Sequence, residues 1–176
     1  MKSKSIPIKK YILKYGVIFG IISVIFSLTT YLRGNYTNQG LFHLILLSFI
    51  TIGSIMTGLL VFKSKNNNFI SLLEALKIGV GISILGGILL TSWEVLLIHY
   101  IDPEIITQLE DAQIKKVAES SANFTQEEIE KKIKMTQRNT SAMSWILLGF
   151  IEDLIVGFLI SLVSGLIIRK KRDPFK

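Results

Sequence analysis

The side chains of this sequence that could carry chemistry lie near the same ends of its third and fourth apolar stretches. They are Glu94, His99, Glu152 and Asp153, with His43 and Arg33 as further members of the set. Glu94 follows Lys77, and Glu152 precedes Arg169, by the same seventeen residues. Seventeen residues span about 25 Å of α-helix. We therefore expect the two acids to lie at a similar depth in a bilayer, in its outer part.

Carboxylates and imidazoles at one depth have two alternative interpretations. They could bind a divalent cation, relay protons or bind a cationic substrate. Alternatively, they lie near the wet interface, pair with Arg33 or a histidine, and only fix helix packing. A charge at the centre of a span costs about 2.5 to 3.5 kcal/mol on insertion scales and less near its edge, so both interpretations stay open.

Catalytic and cofactor motifs are not found in the sequence. It contains no glycine-rich phosphate loop, no His-Glu-x-x-His and no nucleophile elbow. Cysteine is absent, which excludes disulfides and thiolate metal sites. The sequence therefore predicts no catalytic residue, no bound metal and no cofactor.

The composition is typical of a membrane protein. Of the 176 residues, 49% are hydrophobic, and the mean hydropathy is +0.50, which is too apolar for an ordinary soluble domain. The net charge is +7, but Lys and Arg collect beside the apolar stretches, where they set orientation and meet anionic lipid headgroups. We expect the lipid bilayer as a partner, and no nucleic acid.

Four apolar stretches are long enough to cross a bilayer. They cover residues 11–32, 41–62, 74–100 and 143–168. The first follows several lysines like a signal peptide, but it is too long and lacks a small-x-small cleavage site. The sequence therefore predicts an all-α polytopic membrane protein, residues 1–176, with four transmembrane helices in a single domain.

Small residues recur at every fourth position of the third and fourth spans. The third span has Ala75, Gly79, Ser83, Gly87 and Thr91; the fourth has Gly149, Asp153, Gly157, Ser161 and Gly165. Small side chains let helix backbones approach closely in lipid. We expect the two spans to pack directly, although such ridges could also form a homodimer contact. The fourth span should be the packing hub, with Asp153 rather than Glu152 facing the bundle.

The segment 101–142 is the part large enough to fold outside the membrane. Asp102 and Pro103 are typical of one helix ending and another beginning, with Pro103 at the first helical position. Thr125 and Glu128 have the spacing of a capping box, which marks a helix start. The segment is predicted to form a helical hairpin, or two short helices that lie on the outer membrane surface or on each other.

The distribution of Lys and Arg predicts the orientation. Thirteen lie at the amino terminus, in the second loop and at the carboxyl end, whereas seven lie in the first and third loops. The positive-inside rule then places both termini in the cytoplasm and the third loop outside.

The order of these features resembles a known family. The glycine-rich third span, Ile101-Asp102-Pro103, Thr125-Gln-Glu-Glu-Ile-Glu and a last span ending in Arg169-Lys-Lys are similar to a bacterial membrane family called a domain of unknown function, number four-one-nine-nine. The resemblance covers nearly the whole chain. It implies a four-span bacterial inner-membrane protein, and it carries over no activity, substrate or catalytic residue.

Two classes of function remain. The first is a non-enzymatic accessory or interaction protein, whose outer helical segment contacts a protein partner and which could form a homo-oligomer. The second is a small transporter or ion-coupled carrier that uses Glu94, Glu152 and Asp153. The first needs fewer assumptions, because the cytoplasmic halves of the spans carry no charged side chain beyond Lys14, Glu74 and Lys77 near their ends.

Overall fold

The computed structural model describes residues 6–37, 41–119, 125–139 and 141–170. Within these ranges the chain forms six α-helices and no strand. The helices are α1 (Ile8–Leu32), α2 (Leu41–Lys65), α3 (Leu72–Leu96), α4 (Ile105–Glu119), α5 (Gln126–Asn139) and α6 (Ala142–Ile168). A π-helical turn, Leu97–Ile101, extends α3. The basic residues that precede Ile6 and follow Lys170 lie outside the described residues.

Four of these helices are long and apolar enough to cross a membrane. They are α1, α2, α3 with its π turn, and α6. The two short helices α4 and α5 lie between the third and fourth of them. The predicted fold class, an all-α protein with four membrane-spanning helices, is therefore confirmed, and the protein is a membrane protein.

Helix α3 is the packing hub of the bundle. It contacts α1, α2 and α6, and 33% of its most apolar window is buried against 17% of that of α6. It runs parallel to α1, since Gly16 lies against Leu85 and Gly20 against Leu89. The expectation that the fourth span is the packing hub was wrong. The small residues of α6 lie on one face of that helix, whereas α3 has small residues on several faces and can pack closely against more than one neighbour.

The bundle is tightly packed at the end where α1 begins and α6 finishes, which we call the termini end. Its core includes Tyr11, Phe62 and Ile70, and the rings of Tyr11 and Phe62 meet edge to face with centroids 5.2 Å apart. Two backbone hydrogen bonds, of 3.2 and 2.9 Å, join Ile70 to Lys170. These contacts bring the start of α3 and the finish of α6 together.

The turn between α2 and α3 explains a run of three asparagines. Asn67 and Asn68 have φ angles of 56° and 62°, in the left-handed region that asparagine tolerates better than most residues. Asn66 is buried, and its Nδ2 donates to the Phe69 carbonyl at 2.9 Å. The turn places Ser71 as the N-cap of α3, in a capping box with Glu74, which the sequence analysis missed despite the Ser-x-x-Glu spacing.

At the opposite end, which we call the α4 end, α4 packs on the bundle. Ile105 and Leu109 are buried against Leu97, Ile98 and other apolar side chains. The π turn closes with a 2.8 Å hydrogen bond from the Asp102 N–H to the Leu97 carbonyl. Helix α4 begins at Ile105, so the expectation that Pro103 takes the first helical position was wrong.

Helix α5 completes a hairpin of two short helices by packing on α4. Its start has the predicted capping box: the Thr125 N–H donates to Glu128 Oε2 at 2.8 Å, and the Glu128 N–H donates to Thr125 Oγ1 at 3.4 Å. Ile129 and Ile133 are half-buried, whereas its described charged side chains are exposed. The hairpin therefore holds α4 on the bundle and leaves most of α5 uncovered.

Candidate ligand-binding cavity

Helices α3 and α6 meet along an antiparallel seam of small residues. The facing pairs are Ala75 with Gly165, Gly79 with Ser161, Ser83 with Gly157, and Gly87 with Asp153. From one pair to the next, the residue number rises by four on α3 and falls by four on α6. A Cβ at Gly157 would collide with the Ser83 hydroxyl, and one at Gly165 would lie 2.9 Å from the Ala75 Cβ. The backbones therefore approach as closely as glycine allows.

The seam stops before its next pair, Thr91 and Gly149. A Cβ at Gly149 would meet no other side chain within 4 Å, so Gly149 is not the helix contact that the ridge predicted. Thr91 and Gly149 instead line a cavity. Beyond Asp153 the close contact between the two helices ends, and the cavity lies in the half of the bundle nearer to α4.

The cavity has a volume of about 500 Å³, which lies in the range of small-molecule sites. All four long helices line it, and Tyr36 from the first loop and Gln113 from α4 complete the wall. Helix α4 therefore has a direct role in shaping the cavity as well as in capping the bundle.

Three carboxylates line this cavity: Glu94 of α3, and Glu152 and Asp153 of α6. Glu94 and Asp153 are half-buried, and they line the cavity from different helices. The Asp153 carboxylate points toward α3, where a Cβ at Gly87 would lie 3.7 Å from its Oδ2. Glu152 is exposed. Asp153 is thus the acid of this neighbouring pair that faces α3.

The two histidines are placed differently from the predicted cluster. His43 lines the cavity, and its ring lies against Phe26 with centroids 4.7 Å apart. His99 is exposed, with Nδ1 3.2 Å from the Val95 carbonyl oxygen of its own helix. Arg33 is exposed, and neither Arg33 nor His99 lines the cavity. The structure therefore brings Glu94, Glu152 and Asp153 together with His43.

A polar network crosses the cavity wall between α1 and α3. The Trp93 indole N–H donates to Ser27 Oγ at 3.0 Å, and Tyr36 lines the cavity together with Ser27. Burial raises the pKa of the Tyr36 phenol, and the nearby charge of Glu94 raises it further. The phenol is therefore protonated, so it can donate a hydrogen bond. The sequence analysis missed Tyr36, because no pattern marks an aromatic residue in a polar loop as buried.

Ser23 supplies an unpartnered hydroxyl to the same cavity. Its side chain is 1% exposed and its Oγ has no hydrogen-bond partner in the described part of the chain. Thr51 and Ser54 of α2 instead donate to carbonyls four residues earlier in their own helix. A buried polar group without a partner carries a desolvation penalty of about 1 to 3 kcal/mol. The position of Ser23 thus favours a hydrogen-bonding ligand.

At the termini end, the bundle is closed below the cavity. Ile55, Leu59, Phe62, Ile78 and Ile82 are each at most 1% exposed. Because these side chains come from both α2 and α3, they fill the space between the two helices. The cavity therefore has a packed floor on the side of the termini end.

Comparison with known proteins places the chain in a family. The family model described as "Protein of unknown function (DUF4199)" matches residues 14–170. The chain belongs to this family. The resemblance seen in the sequence is thereby confirmed, and the match includes every residue that lines the cavity. No curated protein and no solved structure is significantly similar to the chain.

The cavity of this DUF4199 chain has the chemistry of a binding site for a positively charged group. Three carboxylates line it, and no Lys or Arg of the described residues does. Among those residues, no group of three or more Asp, Glu or His side chains is arranged to hold a metal ion. The lining also contains Phe26, Trp145 and Phe150, so it combines charge with apolar surface.

Proposed function

We propose that this protein is a non-enzymatic accessory protein of a bacterial inner membrane that binds a small ligand in the cavity. One observation carries the proposal: Glu94, Glu152, Asp153 and His43, from three different helices, line a single cavity of about 500 Å³. Acids are costly inside a membrane and cluster there mainly where they serve a site or a pathway. A structural role through ion pairs would need a basic partner, but no Lys or Arg of the described residues lines the cavity, and the ion pair found among those residues, between Lys115 and Glu119, involves none of these acids.

The proposal includes an orientation. Both termini lie in the cytoplasm, and the α4 end lies on the extracytoplasmic side. The support is the excess of Lys and Arg at the termini end, thirteen against seven, under the positive-inside rule. The ligand then enters from outside, between α4 and the open ends of α2 and α6.

Helix α5 is proposed to contact a protein partner. It carries exposed charges of both signs, including Glu127, Glu130, Lys131 and Lys134. Its half-buried face packs on α4, which contributes Gln113 to the cavity wall. Binding in the cavity and contact with a partner would therefore involve the same hairpin.

A second candidate is an ion-coupled carrier, which the carboxylates facing the cavity favour. Transport would need a passage through the termini end, where Leu59, Phe62 and Ile78 are packed together. A carrier must open this floor while it closes the α4 end. The binding role needs no such movement, so it is the simpler of the two.

A pair of glycine variants tests the binding role. Gly149 and Gly53 both have open space where a Cβ would lie, but of the two only Gly149 lines the cavity. We expect Gly149→Phe to fill the cavity while Gly53→Phe leaves it unchanged. Purified protein in nanodiscs is screened by thermal unfolding for small molecules that raise the melting temperature of the wild type.

The proposal predicts that such molecules also stabilise Gly53→Phe and no longer stabilise Gly149→Phe. Equal stabilisation of both variants would mean that the ligand binds elsewhere. Uptake of the same molecules by proteoliposomes would favour the carrier instead.

A further inference from the structure

We propose that the ligand is a small organic cation, an amine that also carries a hydrogen-bonding group, with its ammonium between Glu94 and Asp153 and its polar group at Ser23. This inference rests on the proposed binding function and specifies its ligand class. Three independent features of the cavity carry it.

The first feature is uncompensated negative charge. Glu94 of α3 and Asp153 of α6 come from different helices and line the same cavity. Like charges at short range in a medium of low dielectric repel strongly. The cationic side chains of the described residues lie outside the cavity lining, which leaves His43 as the other titratable nitrogen that faces it. A cation placed between the two carboxylates would therefore relieve the repulsion, and an ammonium that has N–H groups would also donate charge-assisted hydrogen bonds to them.

The second feature is the aromatic surface beside the acids. Phe26, Tyr36, Trp145 and Phe150 line the cavity, one or more from each of α1, the first loop and α6. Aromatic faces attract ammonium groups and also cover their alkyl substituents. A bare metal ion would use none of this surface, and the volume of about 500 Å³ suits an organic molecule.

The third feature is the Ser23 hydroxyl. It is almost fully buried, lines the cavity and has no hydrogen-bond partner among the residues that the structure describes. Ser27, one turn later on α1, is already bonded to Trp93. Ser23 is therefore the free hydroxyl on this wall, and it fits a hydroxyl, carbonyl or ether oxygen of the ligand.

The first experiment compares two probes on the wild-type protein. Choline has an ammonium and a hydroxyl, and dimethylbutanol is its uncharged carbon isostere. Binding is measured by calorimetry in nanodiscs of phosphatidylglycerol, which contain no amine headgroup. The nitrogen of choline has no N–H, so its positive charge is attracted to the carboxylates and the aromatic faces without a hydrogen bond. We expect choline to bind at least about tenfold more tightly than dimethylbutanol because of this attraction.

The same chemistry could come from a lipid headgroup. Nanodiscs of phosphatidylcholine distinguish the two sources. Loss of free choline binding in these nanodiscs would show that the lipid headgroup occupies the site, whereas unchanged binding would show that the site takes the free amine. Both results support an amine ligand.

Four variants test the placement of the ligand. Glu94→Gln and Asp153→Asn should each weaken choline binding by at least about tenfold, while Glu104→Gln, an exposed acid outside the cavity, should not change it. Ser23→Ala should weaken choline but leave tetramethylammonium, which has no hydroxyl, unaffected. If an acid variant does not fold, the comparison of choline with its isostere still decides the ligand class.

Equal binding of choline and dimethylbutanol, or no binding of choline in either nanodisc, would overturn the cation assignment. Other results of the same measurements distinguish a failure of the proposed function from a failure of the ligand class alone. If dimethylbutanol binds and Gly149→Phe abolishes its binding, the cavity is a site for a neutral ligand. If choline binds to Gly149→Phe as to the wild type, the cavity is not the site and both proposals are wrong.

Discussion

Gly87 of α3 faces Asp153 of α6, and a Cβ at Gly87 would lie 3.7 Å from the Asp153 Oδ2. This pair is the last contact of the small-residue seam, and the cavity begins at Asp153. Toward the termini end, glycine and serine hold the two backbones together; toward the α4 end, Thr91 and Gly149 stand apart. The four-residue repeat of α6 therefore places Asp153 against α3, and its next member, Gly149, leaves space for the cavity.

The seam should be sensitive to a single methyl group. Gly157→Ala would push a Cβ into the Ser83 hydroxyl, and overpacking of this kind costs about 1 to 3 kcal/mol. At Gly53, where the Cβ meets open space, alanine should be neutral or stabilising because it favours helix. Unfolding in mixed micelles measures both variants, and Ser83→Gly should restore the stability of Gly157→Ala. Equal tolerance of alanine at both glycines would show that the seam is not close-packed.

The two neighbouring acids of α6 should behave differently. Asp153→Asn removes a half-buried charge that lies near Glu94, so we expect the ligand-free protein to gain about 1 kcal/mol of stability, as often happens when a strained site is relaxed. Glu152→Gln removes an exposed charge and should change the stability little. Thermal unfolding without added ligand measures both. A larger effect at Glu152 would contradict the placement of the two side chains.

The capping box of Thr125 and Glu128 at the start of α5 should be lost at low pH. The Thr125 backbone N–H and hydroxyl bind the Glu128 carboxylate and hold its pKa below the usual range. A group with a lowered folded-state pKa stabilises fully above its unfolded pKa, about 4.3 for glutamate, and this stabilisation is lost as pH falls through the folded value. Protection of the α5 amides against hydrogen exchange should therefore drop in acid. Glu128→Gln should remove this pH dependence and Glu127→Gln, its exposed neighbour, should keep it.

The proposed orientation can be measured with single cysteines, because the chain has none of its own. Glu119→Cys on α4 and Lys65→Cys at the end of α2 are both exposed positions at opposite ends of the bundle. In intact cells, a membrane-impermeant maleimide should label Glu119→Cys and not Lys65→Cys until the cells are opened. The reverse pattern would invert the orientation and place the cavity on the cytoplasmic side.

The sequence predicted the membrane class, the four spans and the ridge of small residues, because each depends on local composition or on a period along one helix. The repeat of four on α3 and α6 is visible without knowing how the helices are arranged. The capping box at Thr125 is local as well. These features do not depend on how the helices pack against each other.

The cavity could not be predicted, because it depends on where helices separate. Gly149 continues the ridge of α6 in sequence, yet it has no partner on α3. His43 lies at the start of the second span and His99 at the end of the third, and only the packing of α2 beside Phe26 brings His43 to the acids. The unpartnered state of Ser23 likewise exists only once α1 is packed in the bundle.

The central claim is that the cavity admits polar molecules and attracts cations, and the reactivity of one cysteine tests it most directly. Thr51 lines the cavity from α2 and is buried, so Thr51→Cys can react with a polar reagent only through the cavity. The measurement compares its rates with two membrane-impermeant methanethiosulfonates, one carrying trimethylammonium and one sulfonate. The account predicts faster reaction with the cation, and loss of that preference when Glu94→Gln and Asp153→Asn are added. No reaction with either reagent, or equal rates that do not depend on the two acids, would contradict it.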